Sequence, residues 1–385
     1  MPKILLVSTD VLWNEAGAAP HKDVVETLQK VTEAGNLVVL ISVHPEPPWF
    51  SKHFPYAKFC ACGFDERKNG LIVDRLLAMN VKHGLKHSDM VVFGTKDADF
   101  FMAVLKQVLF VRCDWSQAAD RERASKYGIP LSEPLLILGM TRLLESGTPW
   151  YYQHHSDGFS VYALTNAGTL GVQLDAPARN LIDGLRNCLK QGDPKRKLAF
   201  QVHLLSSLYA TEGFRGVDIW SYYPGSTSSN QGDEVMAGFC ELARTAYGPR
   251  TKGPLFIRHT PCASRHQQRA EDDRTDPTLQ VQTVHLNPAY RAKLKGATVA
   301  VLDDFLTHGV SFGVAAALLQ AAGAKKVICV AMGKFGRKAR DYPLQIKGDP
   351  FLPVLDYHYA GCTTPVGAHT DQAQLEFINK FTAIK

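Results

Sequence analysis

The chain has 385 residues, with 43 Lys and Arg against 37 Asp and Glu for a formal net charge of +6, and 45% of its residues are hydrophobic and 21% charged. At about 150 residues per domain this length predicts two or three folded units, and the composition excludes a disordered or collagen-like chain. So small a surplus of positive charge gives no strong nucleic-acid signal, and no run of about 18 apolar residues is available to span a membrane.

The opening residues MPKILLVSTD carry one Lys and a short apolar run that soon meets Asp10, without the h-region and cleavage site of a signal peptide, which predicts a cytoplasmic protein. Of the eight cysteines only Cys60 and Cys62 are close, with no second pair at zinc-site spacing, so they read as reduced thiols. From Lys3 to about Asp114, continuous apolar runs (KILLVS, NLVVLISV, AKFCAC, MVVFGT, VLFVRC) alternate with helical segments at His21 to Ala34, Lys68 to Met79 and DADFFMAVLKQ. This alternation predicts an α/β unit over residues 1–115 with a parallel sheet covered on both faces. Residues 116–196 are less periodic and read as a connecting or cap region, with helices near Arg121 to Lys126 and Leu135 to Leu144 and room for an antiparallel hairpin in TPWYYQHHSDGFS.

A second α/β unit, again with a parallel sheet, is predicted over 197–345. It runs from a helix at Leu198 to Ala210 through VDIWSYY, the loop PGSTSSNQGD, a helix at Glu234 to Ala246, PLFIRHT, a long polar segment to about Asp276, LQVQTVHL, TVAVLDD, VAAALLQAAG and KVICVAM. Residues 346–385 read as a Pro- and Gly-punctuated tail ending in an amphipathic helix, QAQLEFINKF.

The most informative segment is VAVLDDFLTHGVS, Val299 to Ser311. It reads as a strand ending in a turn at a helix start, where backbone N–H groups and the helix dipole favour a phosphate. Thr307 and Ser311 add hydroxyl donors, Gly309 lets the backbone approach closely, and His308 and Val310 complete the turn. Asp303 and Asp304 cannot bind phosphate directly; they suit ribose hydroxyls, a Mg²⁺ shell or an oxocarbenium-like carbon. The competing reading of the two acids is a cap on the following turn.

This segment resembles the ribose-phosphate fingerprint of the type I phosphoribosyltransferases, with Asp303, Asp304, Thr307, Gly309 and Ser311 matching position by position and His308 standing where a second Thr is usual. The order of motifs from Leu198 to Arg337 is most similar to the branch containing amidophosphoribosyltransferase and the competence protein ComF. The resemblance implies a pyrophosphate loop at Pro224, Gly225, Ser226 and Thr227, and a flexible phosphate-closing loop carrying Arg258, Arg265, Arg269 and Arg274. It also implies base contacts from Lys334 and Phe335 beside Arg337. The alternative for the Arg-rich segment is a solvated loop, and for Phe335 a core position. The implied ligands are phosphoribosyl pyrophosphate or a nucleotide, Mg²⁺, and a nitrogenous base or amine, in a possible homodimer.

Near the start of the chain, Ser8-Thr9-Asp10, followed by Leu12 and Trp13, resembles the opening motif of the haloacid dehalogenase (HAD) superfamily. Ser42, Lys68 and Asp99 stand at the places of its later motifs. That family uses Asp-x-Asp and a closing acidic motif, whereas Ser8 and Thr95 occupy two of the carboxylate positions here. The resemblance therefore implies a HAD-like fold whose phosphatase chemistry is degenerate, because a site without its nucleophile and a metal ligand loses both the attacking group and the charge that neutralises phosphate. The leading expectation is a phosphoribosyltransferase-type enzyme acting at the ribose anomeric carbon. A ribose-phosphate or nucleotide-sensing regulator and an active HAD phosphatase are the alternatives. Joined phosphatase-like and phosphoribosyltransferase-like modules also resemble those of bacterial stress-response and phage-defence clusters, an analogy of architecture only.

Overall fold

The structure, a computed structural model, describes residues 2–12, 20–116, 121–145, 150–169, 174–193, 196–227, 234–248, 253–262 and 273–381. Apolar runs such as ILLVS are buried along their whole length, and strands of this kind need cover on both faces. Strands β1 (Ile4–Ser8), β2 (Leu37–Ser42), β3 (Lys58–Ala61), β4 (Met90–Gly94), β5 (Leu109–Cys113) and β6 (Ile129–Leu131) form a parallel six-stranded sheet in the order β3-β2-β1-β4-β5-β6. The helices between and after them are α1 (Lys22–Glu33), α2 (Phe50–His53), α3 (Phe64–Lys68), α4 (Leu71–Met79), α5 (Asp97–Lys106), α6 (Glu122–Tyr127) and α7 (Leu136–Leu144). In α1, Val24, Leu28 and Val31 recur at helical spacing and form its buried stripe.

The second sheet draws on β7 (Tyr152–Ser156), β8 (Phe159–Asn166), β9 (Ile219–Tyr222), β12 (Thr298–Leu306), β13 (Lys326–Lys334) and β16 (Ala368–His369), in the order β16-β7-β8-β13-β12-β9. Helices α8 (Ala176–Gln191), α9 (Lys197–Ala210), α10 (Glu234–Tyr247) and α13 (Val310–Ala321) accompany it. A separate antiparallel ribbon of β10 (Phe256–Arg258) and β11 (Val284–Leu286) follows, with the short helices α11 (Thr278–Val281) and α12 (Arg291–Leu294). The last elements are the hairpin β14 (Leu344–Lys347) and β15 (Asp356–Tyr359), then α14 (Asp371–Phe381).

The second sheet is mixed, a correction to the all-parallel expectation. Strands β8, β13, β12 and β9 are parallel, but β7 runs antiparallel to β8, and the edge strand β16 runs antiparallel to β7. Asp157 and Gly158 are the only residues between β7 and β8, and a two-residue reversal can join only antiparallel strands.

The stretch 116–196 supplies β6 and α7 on one side and β7, β8 and α8 on the other. One apolar cluster runs through Leu5, Val7 and Val91 of the first sheet and Leu302, Val330 and Met332 of the second, joined by residues of α7, α8, α9 and α10. The tail also folds back. Phe377 of α14 stacks on His203 of α9 at 3.8 Å between ring centroids, and Gln374 Oε1 accepts from Thr165 Oγ1 (2.7 Å) and the Asn166 N–H (2.8 Å) at the end of β8. Beside it, β16 pairs with β7, and the Tyr152 hydroxyl donates to the Val366 carbonyl at 3.0 Å.

Candidate functional site

In open α/β sheets, ligands bind beyond the carboxyl ends of the parallel strands. At that edge of the second sheet, β9 runs into Tyr223 to Ser226, β12 ends in the acids and the Thr307 turn, and β13 runs into Phe335. Together with residues of the β10 to α11 region and one residue of α8, they line a cavity of about 500 Å³.

The turn after β12 is held from behind. Lys334 Nζ donates to the Thr307 carbonyl at 2.9 Å, the Phe335 N–H to the Leu306 carbonyl at 2.9 Å, and the Arg340 N–H to the His308 carbonyl at 2.9 Å. Gly309 sits at φ +100°, where a side chain is strained, and a Cβ there would stand 3.0 Å from the Arg340 carbonyl oxygen. Helix α13 starts immediately afterwards, so its first turn brings N–H groups without intrahelical acceptors to this corner. Gly309 and Val310 line a recess of about 40 Å³ with Thr307, His308 and Ser311.

Among the residues singled out from sequence, Asp303, Asp304, Thr307, His308 and Ser311 reach the main cavity from β12 and its turn. Pro224, Gly225 and Ser226 reach it from the loop after β9, with Arg258, Arg274 and Phe335 on other walls. Thr227 does not line it, and Arg265 and Arg269 lie outside the described residues.

Two sequence-based roles are corrected. Arg258 was expected on a flexible loop; it is in β10 and 1% exposed. Its guanidinium donates to the carbonyls of Gly225 and Pro224, to Gln280 Oε1 (2.8 Å) and to Thr283 Oγ1 (2.7 Å), so it braces the loop from within the ribbon. Lys334 was expected at a base; it is fully buried, bonded to backbone carbonyls behind the turn, and burial brings its ammonium down to about 8.

The carboxylate pair has the electrostatics of a ligand site. Burial at the strand end, then the neighbouring Asp304, push the Asp303 carboxyl well above the usual range. Two adjacent acids in a low-dielectric corner favour whatever donates to them or brings positive charge. Residues the sequence reading missed also appear here: Lys190 of α8 pairs with Asp304 and lies 5.4 Å over the Phe305 ring, and Phe305 meets Phe335 at 5.0 Å between centroids. Lys190 carries no local signal, because a lysine near the end of an amphipathic helix ordinarily faces solvent.

The N-terminal cluster is built differently. Arg67 is 2% exposed; its Nε donates to Asp99 Oδ1 at 2.7 Å, and its Nη2 contacts Ser8 Oγ at 2.5 Å and Asp10 Oδ2 at 3.2 Å. Lys96 Nζ takes the other Asp10 oxygen at 2.8 Å. Burial works to raise Asp10, but the Lys96 hydrogen bond and the Arg67 charge outweigh it and leave the carboxyl below its ordinary value. Asp99 is fully buried, which pushes its carboxyl up, although Arg67 opposes this.

Lys68, expected as the cation of this cluster, is exposed and lies 5.6 Å over the Phe101 ring. One residue along a helix turns a side chain by about 100°, so Arg67 faces inward in its place. Ser42 accepts the His44 N–H at 3.0 Å and caps the turn after β2. Two carboxylates facing two cations leave little charge for a divalent ion, and no group of three or more His, Cys, Asp or Glu suited to a metal occurs among the described residues.

No protein-family model matches the sequence, and no curated protein matches it. Among solved structures, a HAD family hydrolase from Streptomyces avermitilis is 11% identical, covering 30% of this chain and 69% of that one with a TM-score of 0.24. A cobalt-bound deoxy-D-mannose-octulosonate 8-phosphate phosphatase from Haemophilus influenzae is 12% identical, covering 38% and 94%, with a TM-score of 0.26. A GsuK channel is 12% identical over 86% of this chain and 61% of its own, at 0.21. Likenesses this low assign neither a family nor an activity. The α/β class follows from the two sheets themselves, and no helix among the described residues is long and apolar enough to cross a membrane.

Proposed function

We propose that the cavity beyond β9, β12 and β13 binds a 5-phosphoribosyl ligand, phosphoribosyl pyrophosphate or a nucleotide, and that the protein acts at its anomeric carbon as a phosphoribosyltransferase-type enzyme. One observation supports this above the others: segments far apart in sequence, Tyr223–Ser226, Asp303–Ser311 and Phe335, face one volume of about 500 Å³ with the chemistry such a ligand needs. The turn and α13 offer N–H and hydroxyl donors to a 5-phosphate, the carboxylates accept from ribose hydroxyls, and the loop braced by Arg258 stands where pyrophosphate would leave. Donors fixed in advance stabilise the charge that develops as the leaving group departs.

Magnesium fits this corner only together with a ligand. It is commonly held by one or two carboxylates plus substrate phosphates, and Asp303 and Asp304 supply that share, whereas the described residues form no all-protein cage. When bound, Mg²⁺ would supply charge neutralisation to the pyrophosphate.

The Asp10 cluster, in this reading, is a HAD-like remnant without phosphatase turnover, since Ser8 and Thr95 stand at two of the carboxylate positions and Arg67 and Lys96 hold the remaining acids, Asp10 and Asp99. The test is calorimetric titration of the full chain with phosphoribosyl pyrophosphate and nucleoside monophosphates, with and without Mg²⁺, followed by a pyrophosphate-release assay with a panel of bases and amines. Binding without release supports the sensing alternative; no binding of any phosphoribosyl compound removes the reading.

A further inference from the structure

The carboxylate pair already has a cation. Lys190 reaches from α8 across the Phe305 ring, with its ammonium 5.4 Å from the ring centroid, to an ion pair with Asp304, and it lines the same cavity as Ser226, Thr307 and Ser311. Its ammonium sits over an aromatic face and beside an anion, so its position is set by the ring as well as by the carboxylate. The partner acid, Asp303, makes no ion pair with Lys190; its carboxylate accepts the Asp304 N–H at 2.9 Å.

We infer that Lys190 is a tethered counter-ion of the ligand site: it pairs with Asp304 when the site is empty and, with a ligand present, bridges that carboxylate to the ligand's anionic oxygens, a task otherwise left to a divalent cation. The assignment rests on the cavity being a phosphoribosyl site, but the charge relation between Lys190 and the two acids does not. A lysine suits the task because its ammonium is a compact charge with three donors on a flexible stem, able to keep one bond to the carboxylate while making another to phosphate. The consequence is a site whose affinity for a pyrophosphate-bearing ligand depends less on Mg²⁺ than two bare carboxylates would allow.

The experiment compares wild type, Lys190→Met and Lys190→Arg as full chains, by calorimetry with phosphoribosyl pyrophosphate at zero and saturating Mg²⁺. Loss of one charge-assisted contact predicts about tenfold weaker binding of Lys190→Met without Mg²⁺ and less than about threefold with it, and Lys190→Arg should recover most of the loss. Equal losses in both conditions, or none, would overturn the inference, as would wild-type binding that vanishes without Mg²⁺. A second readout needs no organic ligand: Mn²⁺ alone, followed by its paramagnetic resonance, should bind Lys190→Met more tightly than wild type, because removing the ammonium bares the Asp304 carboxylate it pairs with. If phosphoribosyl pyrophosphate binds none of the proteins but Mn²⁺ affinity rises in Lys190→Met, the functional reading fails and the counter-ion role stands. If Mn²⁺ affinity is the same in both, the counter-ion role fails.

Discussion

The molecule contains two clusters of acids at strand ends, and they differ in what surrounds the carboxylates. Around Asp10 and Asp99 the carboxylate oxygens are held by this chain's own groups: Arg67 spans both acids and Ser8, Lys96 pairs with the other Asp10 oxygen, and Asp99 has no exposed surface. Around Asp303 and Asp304 one lysine stands against two acids, and the rest of the boundary is a cavity. The same residue types therefore make an ion-paired box in one place and an open corner in the other. Cation count and the adjoining cavity, not the presence of aspartates, separate the two.

The comparison breaks most sharply at Arg67. Replacing it by Met leaves Asp99 buried without its partner, and removing one member of a buried pair costs about 3–5 kcal/mol. Chemical denaturation should show a loss of that order for Arg67→Met; a change within experimental error would mean the box is not structural.

At the open corner the effect should fall on binding instead. Asp304→Asn should weaken phosphoribosyl pyrophosphate binding by about 10–100-fold, the range of a hydrogen bond to a charged group, with an unchanged denaturation midpoint. Normal affinity in that variant would reduce the pair to a cap on the turn. Correspondingly, hydrolysis of phosphomonoesters by the wild type should not exceed background, and a turnover that Asp10→Asn abolishes would make the ion-paired cluster an active site.

A smaller effect carries a sign that depends on pH. The folded-state carboxyl of Asp303 titrates above its unfolded value, so its ionisation opposes folding: stability is highest below the unfolded value of about 3.9 and declines as pH rises towards the folded one. Asp303→Asn should therefore raise Tm by roughly 1–3 °C at pH 7 and by nothing below about pH 4, which thermal melts across that range can check. The smallest effect belongs to His308, on the cavity wall. Its ring offers a single hydrogen bond to a phosphate at the turn, and a threonine hydroxyl can replace it, so His308→Thr should weaken ligand binding by less than about fivefold in calorimetry. A loss of about a hundredfold would place the histidine among the main phosphate donors.

Much of the open corner was legible from sequence because its elements are short and local. An apolar run, two acids and a Thr-x-Gly turn before an apolar helix define a strand end and a helix start without distant information, and the structure brings Asp303 through Ser311 to one edge. What stayed hidden depended on tertiary direction. Lys68 and Arg67 are chemically alike, and only the rotation of α3 decides which one faces Asp99. Arg258 looks like a loop arginine until β10 pairs with β11 and buries it against Gly225. Lys190 meets Asp304 across 114 residues of chain, a contact that no window of sequence contains.

The edge where β16 joins β7 closes a large ring. Tyr152 and Val366 are 214 residues apart, and every segment that walls the cavity lies between them. Drawing such distant points together carries a loop-closure cost that local hairpins and helices avoid, although that cost grows only slowly with length. Gly367 marks the weak point of this seam, since a Cβ there would strike the Tyr152 hydroxyl. A single methyl group, placed well away from any carboxylate, is thus positioned to loosen the clasp that keeps β8 and α14 registered beside β13, and with them the far wall of the sheet on which the ligand corner is built.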